Sequence, residues 1–250
     1  MLTNRAQIAV TIDVDWAPDF VIDFVAQILI DSGVHSTWFV THASPAIDRL
    51  RRRPQLFELG IHPNFLPGSS HGDTPSDILE HCLRLVPDAN SLRTHNLIQS
   101  ERLLAAIIKT ERLTVDVTTF LPHAKGLQMV RYETGGKHLW RIPFFWEDYY
   151  ETQCRTAVWN PESLLELKGL RVFSFHPIHV YLNSARLDGY EALKRCVPQM
   201  HEATLDDVAP LIYDGPGTRS AFLRLVDRLR IAGHGCCIRD LVEMEASSCC

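Results

Sequence analysis

Short apolar runs alternate along this chain with stretches in which apolar residues return at every third or fourth position. Ile8-Ala9-Val10-Thr11-Ile12 is one such run and predicts a buried strand. Asp19 to Ser32 follows, with Phe20, Val21, Phe24, Val25, Ile28 and Leu29 at helical spacing and Gly33 as its stop. Ser36 to Val40 predicts a second strand, Ser44-Pro45 opens a helix to about Arg53, and Leu56 to Ile61 predicts a third strand ending at His62. After a Pro-, Gly- and Ser-rich loop, Thr74-Pro75 starts a helix through Leu79, Leu83 and Val86. A short strand covers Ser91 to His95, a helix Ser100 to Glu111, and a strand Leu113 to Val117.

Thr118 to Lys137 shows neither period, and a connection of that length predicts a lid or rim. Beyond it the pattern predicts a strand at Leu139 to Pro143, a short helix from Asn160-Pro161, and a strong strand at Leu170 to Phe175 running into His176-Pro177-Ile178-His179. Helices around Tyr190 to Val197 and over Thr218 to Ala232, a strand at Cys236 to Ile238 and a last short helix complete the chain. Strands that alternate with helices pair in parallel, which makes the fold class α/β. A closed or nearly closed (β/α) barrel fits better than an open doubly wound sheet, because polar residues fall at the ends of several strands, where barrels carry chemistry.

Composition narrows this picture. Nothing in the 250 residues marks a linker, so one domain over 1–250 is expected. Hydrophobic residues at 46% and charged residues at 22% suit a folded core and offer no membrane span. A net charge of -5 argues against a nucleic-acid partner, and the basic run Arg49 to Arg53 reads as a solvated helix end. The N-terminal stretch lacks the apolar segment of a secretory signal, so the cytoplasm is the expected compartment. The odd cysteine count of 7 favours thiols over a disulfide framework. The vicinal pairs Cys236-Cys237 and Cys249-Cys250 lack C-x-x-C spacing and read as a strand interior and a chain end, with soft-metal binding or redox activity as the alternative.

The candidate chemistry sits at strand ends: Asp13 and Asp15, His62, Arg93 and His95, Asp116, Arg141, then His176 and His179. Asp13 and Asp15, two apart, would share one face of a strand, and a helix cap would explain one of these acids but not both. One carboxylate with two imidazoles suits Zn²⁺, Fe²⁺ or a similar divalent ion with open positions, and Asp15 and His62 are the firmest ligands. Phe144 to Tyr150, dense in aromatics and acids, reads either as core or as a stacking wall for a sugar-like ligand that would include Trp146. No G-x-G-x-x-G or phosphate loop follows the first strand.

Five blocks resemble the polysaccharide deacetylase (NodB-like, carbohydrate esterase) superfamily, in the divergent WbmS-like branch. They are Thr11-Ile12-Asp13-Val14-Asp15, Ser36-Thr37-Trp38-Phe39-Val40, Glu58-Leu59-Gly60-Ile61-His62, Leu92-Arg93-Thr94-His95 and Phe173-Ser174-Phe175-His176-Pro177. The resemblance implies a distorted (β/α) barrel and a divalent metal, with Zn²⁺ as first choice. It also implies Asp13 as general base, Asp15 and His62 as ligands, Arg93 as the group orienting the base, and His176 as the acid. Two departures stand out: Val14 separates acids that the family has adjacent, and Leu66 occupies the place of the family's second histidine. His71, between Gly68 and Gly72, is the expected substitute ligand, a surface loop histidine being the equal alternative. Asn64, His95, His179 and Trp146 are the expected substrate contacts.

The resulting expectation is a hydrolase that removes an N-acyl group, acetyl in the first place, from a sugar or sugar precursor. The alternatives are an amidohydrolase acting on a small non-sugar amide and a carbohydrate-binding protein that has lost turnover.

Overall fold

Every residue of Ile8–Asp13 (β1) and of Ser36–Val40 (β2) is buried, as expected of strands covered on both faces. The structure, a computed structural model, describes residues 7–248. The remaining strands are Phe57–Ile61 (β3), Ser91–Leu92 (β4), Val115–Asp116 (β5), Val130–Thr134 (β6), Lys137–Arg141 (β7), Trp146–Glu147 (β8) and Arg171–Phe175 (β9). They form one curled sheet in the order β6-β7-β5-β4-β3-β2-β1-β9-β8, parallel except for β6. Chain after β5 meets chain before β8 at the parallel bridge Phe120 to Phe144, with the His123 N–H donating to Phe145 O beside it, and no regular strand pair joins the two sides there.

Register decides what this sheet presents. Ile12 lies opposite Trp38 on one side and Phe175 on the other, Val40 opposite Ile61, Ile61 opposite Leu92, and Leu92 opposite Asp116. The residues that leave these strands therefore emerge together: Asp13, His62, Arg93 and His176. Gly60 permits the close spacing, since a Cβ there would stand 2.7 Å from Ser91 Oγ and 2.8 Å from the Phe39 ring. At the other end of β3, buried Glu58 accepts hydrogen bonds from Thr37 Oγ1, Ser91 Oγ and the Arg239 backbone N–H, each at 2.8 Å. Burial pushes its carboxyl up. Glu58 thus ties three strands to the C-terminal helix, far from the barrel mouth.

Helix limits follow local chemistry. Ser44, Thr74 and Ser100 each cap a helix by accepting a backbone N–H three residues on, and Gly33 ends Asp19–Ser32 in the left-handed conformation. The helix expected over Thr218–Ala232 has those bounds.

Two expectations change. The stretch expected to be irregular, Thr118 to Lys137, contains β6 and the turn that pairs it antiparallel with β7, made by Gly135 and Gly136 at φ 58° and 74°. Two residues with positive φ match the twist of the flanking strands, and Gly-Gly is the sequence mark of that turn. The strand expected at Cys236 to Ile238 shrinks to one bridge, Ala9 to Cys236, before the helix Ile238–Ser248. Cys236 and Cys237 donate their thiol protons to backbone carbonyls, and burial pushes the Cys236 thiol up to about 12, which argues against thiolate chemistry. The pair Cys249-Cys250 lies outside the described residues. Among the described residues no helix is long and apolar enough to cross a membrane.

Candidate metal centre and acid–base pair

At the end of β1 the chain turns sharply. Val14 is fully buried and its N–H donates to Phe39 O at 3.0 Å, after which Asp15 and Trp16 take φ values of 44° and 53°. Left-handed backbone is uncommon outside glycine, so two such residues in sequence mark a held conformation. The shared strand face expected of Asp13 and Asp15 is not formed, because β1 ends at Asp13 and Asp15 lies in the turn. The turn sends Asp15 toward His62 and His95, while Asp13 stays in the barrel.

Asp15 Oδ1 lies 3.1 Å from His62 Nε2 and 3.1 Å from His95 Nδ1. His62 donates its Nδ1–H to Arg93 O at 2.7 Å, which fixes the ring with Nε2 inward. His95 is set by its own N–H donating to Pro63 O at 3.0 Å, and left-handed Asn96 and Leu97 follow it. Burial opposes the Asp15 charge, but His95 and His62 outweigh it and hold the carboxyl well below its usual range. Burial likewise opposes a charge on His95, and Asp15 raises its pKa nonetheless. One ligand atom from each of Asp15, His62 and His95 lies within 4.8 Å of the others. Two imidazoles and one carboxylate converging from different segments make a donor set suited to a zinc-class divalent ion.

A second constellation lies beside it. Arg93 is fully buried, its guanidinium 4.2 Å from the Phe144 ring centroid and 4.9 Å from that of Phe39. Nη1 donates to Asp13 Oδ1 at 2.8 Å and to Ser174 Oγ at 2.7 Å, and Nε donates to Val117 O at 3.0 Å. Across the cleft, Asp148 accepts twice from His176, from Nδ1–H at 2.6 Å and from the backbone N–H at 2.8 Å. Burial works against a charged His176, yet Asp148, with smaller help from Asp15 and Asp13, raises its pKa to about 10. Its free Nε2 stands 3.9 Å from Asp13 Oδ2 and 3.6 Å from Asp15 Oδ2. A carboxylate matched by arginine therefore faces an imidazolium matched by another carboxylate, with the two-histidine set alongside.

These groups floor a cleft of about 420 Å³ walled by Phe120, Tyr149, Tyr150 and Tyr190, with Lys194 at its rim. A polar floor under aromatic walls suits a ligand with an apolar face and several hydrogen-bonding groups.

The model of the WbmS-like polysaccharide deacetylase family matches residues 10–194. The chain belongs to that family. Among solved structures it resembles a candidate polysaccharide deacetylase involved in O-antigen biosynthesis, WbmS, from Bordetella bronchiseptica. That pair shares 33% identity at a TM-score of 0.76, over 90% of this chain and 91% of the other. The Xyl-CE4 domain of a multidomain xylanase from a Trinervitermes trinervoides hindgut metagenome matches at 13% identity and TM-score 0.52, over 97% and 92%. A 4-alpha-glucanotransferase from Thermococcus litoralis matches at 11% identity and TM-score 0.55, over 95% of this chain and 38% of that one. The last two likenesses concern the fold alone. No curated protein sequence matches.

Within this WbmS-like chain the remaining sequence candidates part company. His71 is buried but does not join Asp15 and His62: its Nε2–H donates to Thr41 O at 2.8 Å and its Nδ1 accepts from the Asn64 N–H at 3.1 Å. Both nitrogens are thus committed, and burial lowers its pKa to about 4. The Trp16 ring neighbours both His71 and His95, at 5.5 and 5.2 Å between centroids, and His95 is the imidazole that reaches Asp15. His95, expected as a substrate contact, therefore stands where His71 was expected. Asn64 closes a turn by accepting the Leu66 N–H at 3.0 Å and does not line the cleft. Trp146 belongs to the core, fully buried, with Phe175 and Phe173 at 4.8 and 5.9 Å between centroids. His179 does line the cleft; burial lowers its pKa to about 4, which keeps it neutral against the Tyr190 ring at 4.6 Å. Asp116 and Arg141 pair at 2.9 Å and bind β5 to β7.

Asp148, Glu147 and Ser174 are site residues that sequence reasoning left without a role. Ser174 lies inside the Phe173-Ser174-Phe175-His176-Pro177 block, and Glu147-Asp148 inside the acid-rich aromatic run. The signal was an acid that follows a very short strand, β8, paired with the strand that leads into His176.

Proposed function

We propose that this chain is a metal-dependent amide hydrolase that removes an N-acyl group, acetyl in the first place, from a sugar or sugar precursor. Membership of the polysaccharide deacetylase family supports the reaction class. The observation that carries the reading is the pairing of Arg93-bound Asp13 with Asp148-bound His176 beside Asp15, His62 and His95. That juxtaposition offers a base, an acid and a cation site around one point.

Asp15, His62 and His95 would hold the ion, because each has a donor atom turned to the common point and none is spent on a permanent cation. When bound, a divalent ion there supplies Lewis acidity, polarising the acyl carbonyl and making a water more acidic. Asp13 takes the proton from the attacking water. Arg93 holds the Asp13 carboxylate in place by its hydrogen bond, while Phe39 and Phe144 exclude water from the guanidinium. His176 gives a proton from Nε2 to the departing nitrogen. Asp148 fixes the tautomer and stabilises the charged ring, so the acid is loaded at neutral pH. The aromatic walls, with Tyr149 beside His176 at 6.3 Å between centroids, orient the sugar ring.

The test is acetate release from N-acetylated hexosamines, free and in oligosaccharides, by protein loaded with Zn²⁺. Release that stops with a chelator and returns with the ion is the expected result. No release at full metal occupancy would contradict the reading and favour a binding protein.

A further inference from the structure

Glu147 is the one carboxyl of the cleft that the acid–base pair and the cation set leave unused. It is 8% exposed, it lines the cleft, and its side chain makes no hydrogen bond or ion pair among the described residues. Its neighbours along the chain are turned elsewhere: the Trp146 ring packs in the core and Asp148 binds His176. β8 pairs Glu147 with Ser174 in parallel register, which holds the Glu147 backbone one strand away from Arg93's second acceptor. One Glu147 oxygen lies within 4.8 Å of both an Asp13 carboxylate oxygen and a His176 ring nitrogen. Burial pushes its pKa up to about 7, with His176 and Arg93 working against the shift and the Asp13 and Asp148 charges adding to it. No protein group hydrogen-bonds the Glu147 carboxyl, and its oxygens open onto the cleft, where a bound ligand can reach them.

The geometry points to Glu147 as a further catalytic residue, whose carboxyl oxygen accepts the N–H of the scissile amide and turns the nitrogen lone pair toward His176. This inference rests on the hydrolase reading above. An atom with two hydrogen-bond partners at about 2.9 Å and a tetrahedral angle between them separates those partners by about 4.7 Å. A Glu147 oxygen and a His176 nitrogen no more than 4.8 Å apart can both reach one such atom. In the step itself, water oxygen bonds to the acyl carbon with its proton passing to Asp13. The C–N bond then breaks as nitrogen takes the His176 proton. Glu147 keeps the existing N–H directed at itself throughout and neither gains nor loses a proton. As carboxylic acid or as carboxylate it has an oxygen to accept with, so the role does not depend on its titration. An ester has no such N–H, and Glu147 should be indifferent to it.

The experiment compares matched N-acetyl and O-acetyl sugars, carrying the acyl group on the same ring carbon, with parent, Glu147→Gln and Glu147→Ala. Circular dichroism and metal content check each variant; removing an unpartnered carboxyl should cost the fold little. Glu147→Ala should lower kcat for the amide about tenfold or more, the worth of one hydrogen bond to a reacting group, and leave the ester within about twofold. Glu147→Gln, which keeps an acceptor oxygen, should restore most of the amide rate. Equal losses on amide and ester would overturn the inference and make Glu147 a support for Asp13, with the hydrolase reading intact. An unchanged amide rate in Glu147→Ala would overturn it too. A metal-loaded parent that turns over neither substrate would overturn the hydrolase reading and this inference with it.

Discussion

Asp13 and Asp15 stand two residues apart, yet they occupy opposite electrostatic situations. Asp13 meets a permanent cation, the fully buried Arg93 guanidinium at 2.8 Å. Asp15 meets two imidazoles at 3.1 Å, groups that carry charge only when protonated. A carboxylate already matched by arginine gains little from a metal ion and is free to exchange a proton. One facing two imidazoles, with the His176 ring 3.6 Å from its other oxygen, has no arginine against it, and a divalent ion among the three donors would match its charge. The left-handed turn at Asp15 and Trp16 makes this division possible, because on a regular strand both acids would face the same partners.

The strongest way to break the comparison is to neutralise one acid at a time. Asp13→Asn should keep the metal and lose turnover by about a hundredfold to ten-thousandfold, the range for a general base. Steady-state kinetics on a metal-verified sample would show it. Loss of metal with retained turnover per bound ion would invert the two roles.

Arg93→Ala removes the cation and leaves Asp13 buried and unpaired, a change expected to cost about 3–5 kcal/mol in urea unfolding. Arg93 also fills space between Phe39 and Phe144, so the double variant Arg93→Met with Asp13→Asn should recover part of the loss. No recovery would mean that the pair's charges do not set the stability of this corner.

Asp148→Asn should act through pH. The His176 pKa, raised from 6.5 to about 10, gives the folded state stability that is complete below pH 6.5 and fades as pH rises through about 10. With Asp148 neutral, burial wins and the pKa falls. The metal-free variant should then lose stability in mildly acidic buffer, and its decline between pH 6.5 and 10 should flatten. The alkaline limb of kcat in the loaded enzyme should move down in pH as well. Curves that superimpose on the parent's would remove Asp148 from the account.

The smallest effect concerns His71. His71→Ala should lower stability by about 1–3 kcal/mol through the unsatisfied Thr41 carbonyl and Asn64 N–H it leaves behind, with turnover per bound metal unchanged.

Asp13, His62, Arg93 and His176 were legible in the sequence because each follows an apolar run, and parallel register alone brings such positions to one barrel mouth. The choice between His71 and His95 was not. It depends on a turn after β4 that places His95 against Pro63, and on Thr41 O capturing His71, both long-range contacts that leave no periodic trace. Asp148 was hidden for a related reason: β8 has only 2 residues, too few to show alternation, although its pairing with β9 delivers the acid to His176. The Gly135-Gly136 hairpin was readable from its turn chemistry, and the long irregular flank before it masked the signal. Trp146 shows the limit of composition, since an aromatic among acids served the core and not the ligand wall.

One imidazole, His95 and not His71, completes the proposed metal set with Asp15 and His62. Elemental analysis of His95→Ala and His71→Ala, each purified without chelator beside the parent and checked by circular dichroism, decides it. His95→Ala should lose stoichiometric divalent metal while His71→Ala retains it. Metal retained by His95→Ala and lost from His71→Ala would contradict it.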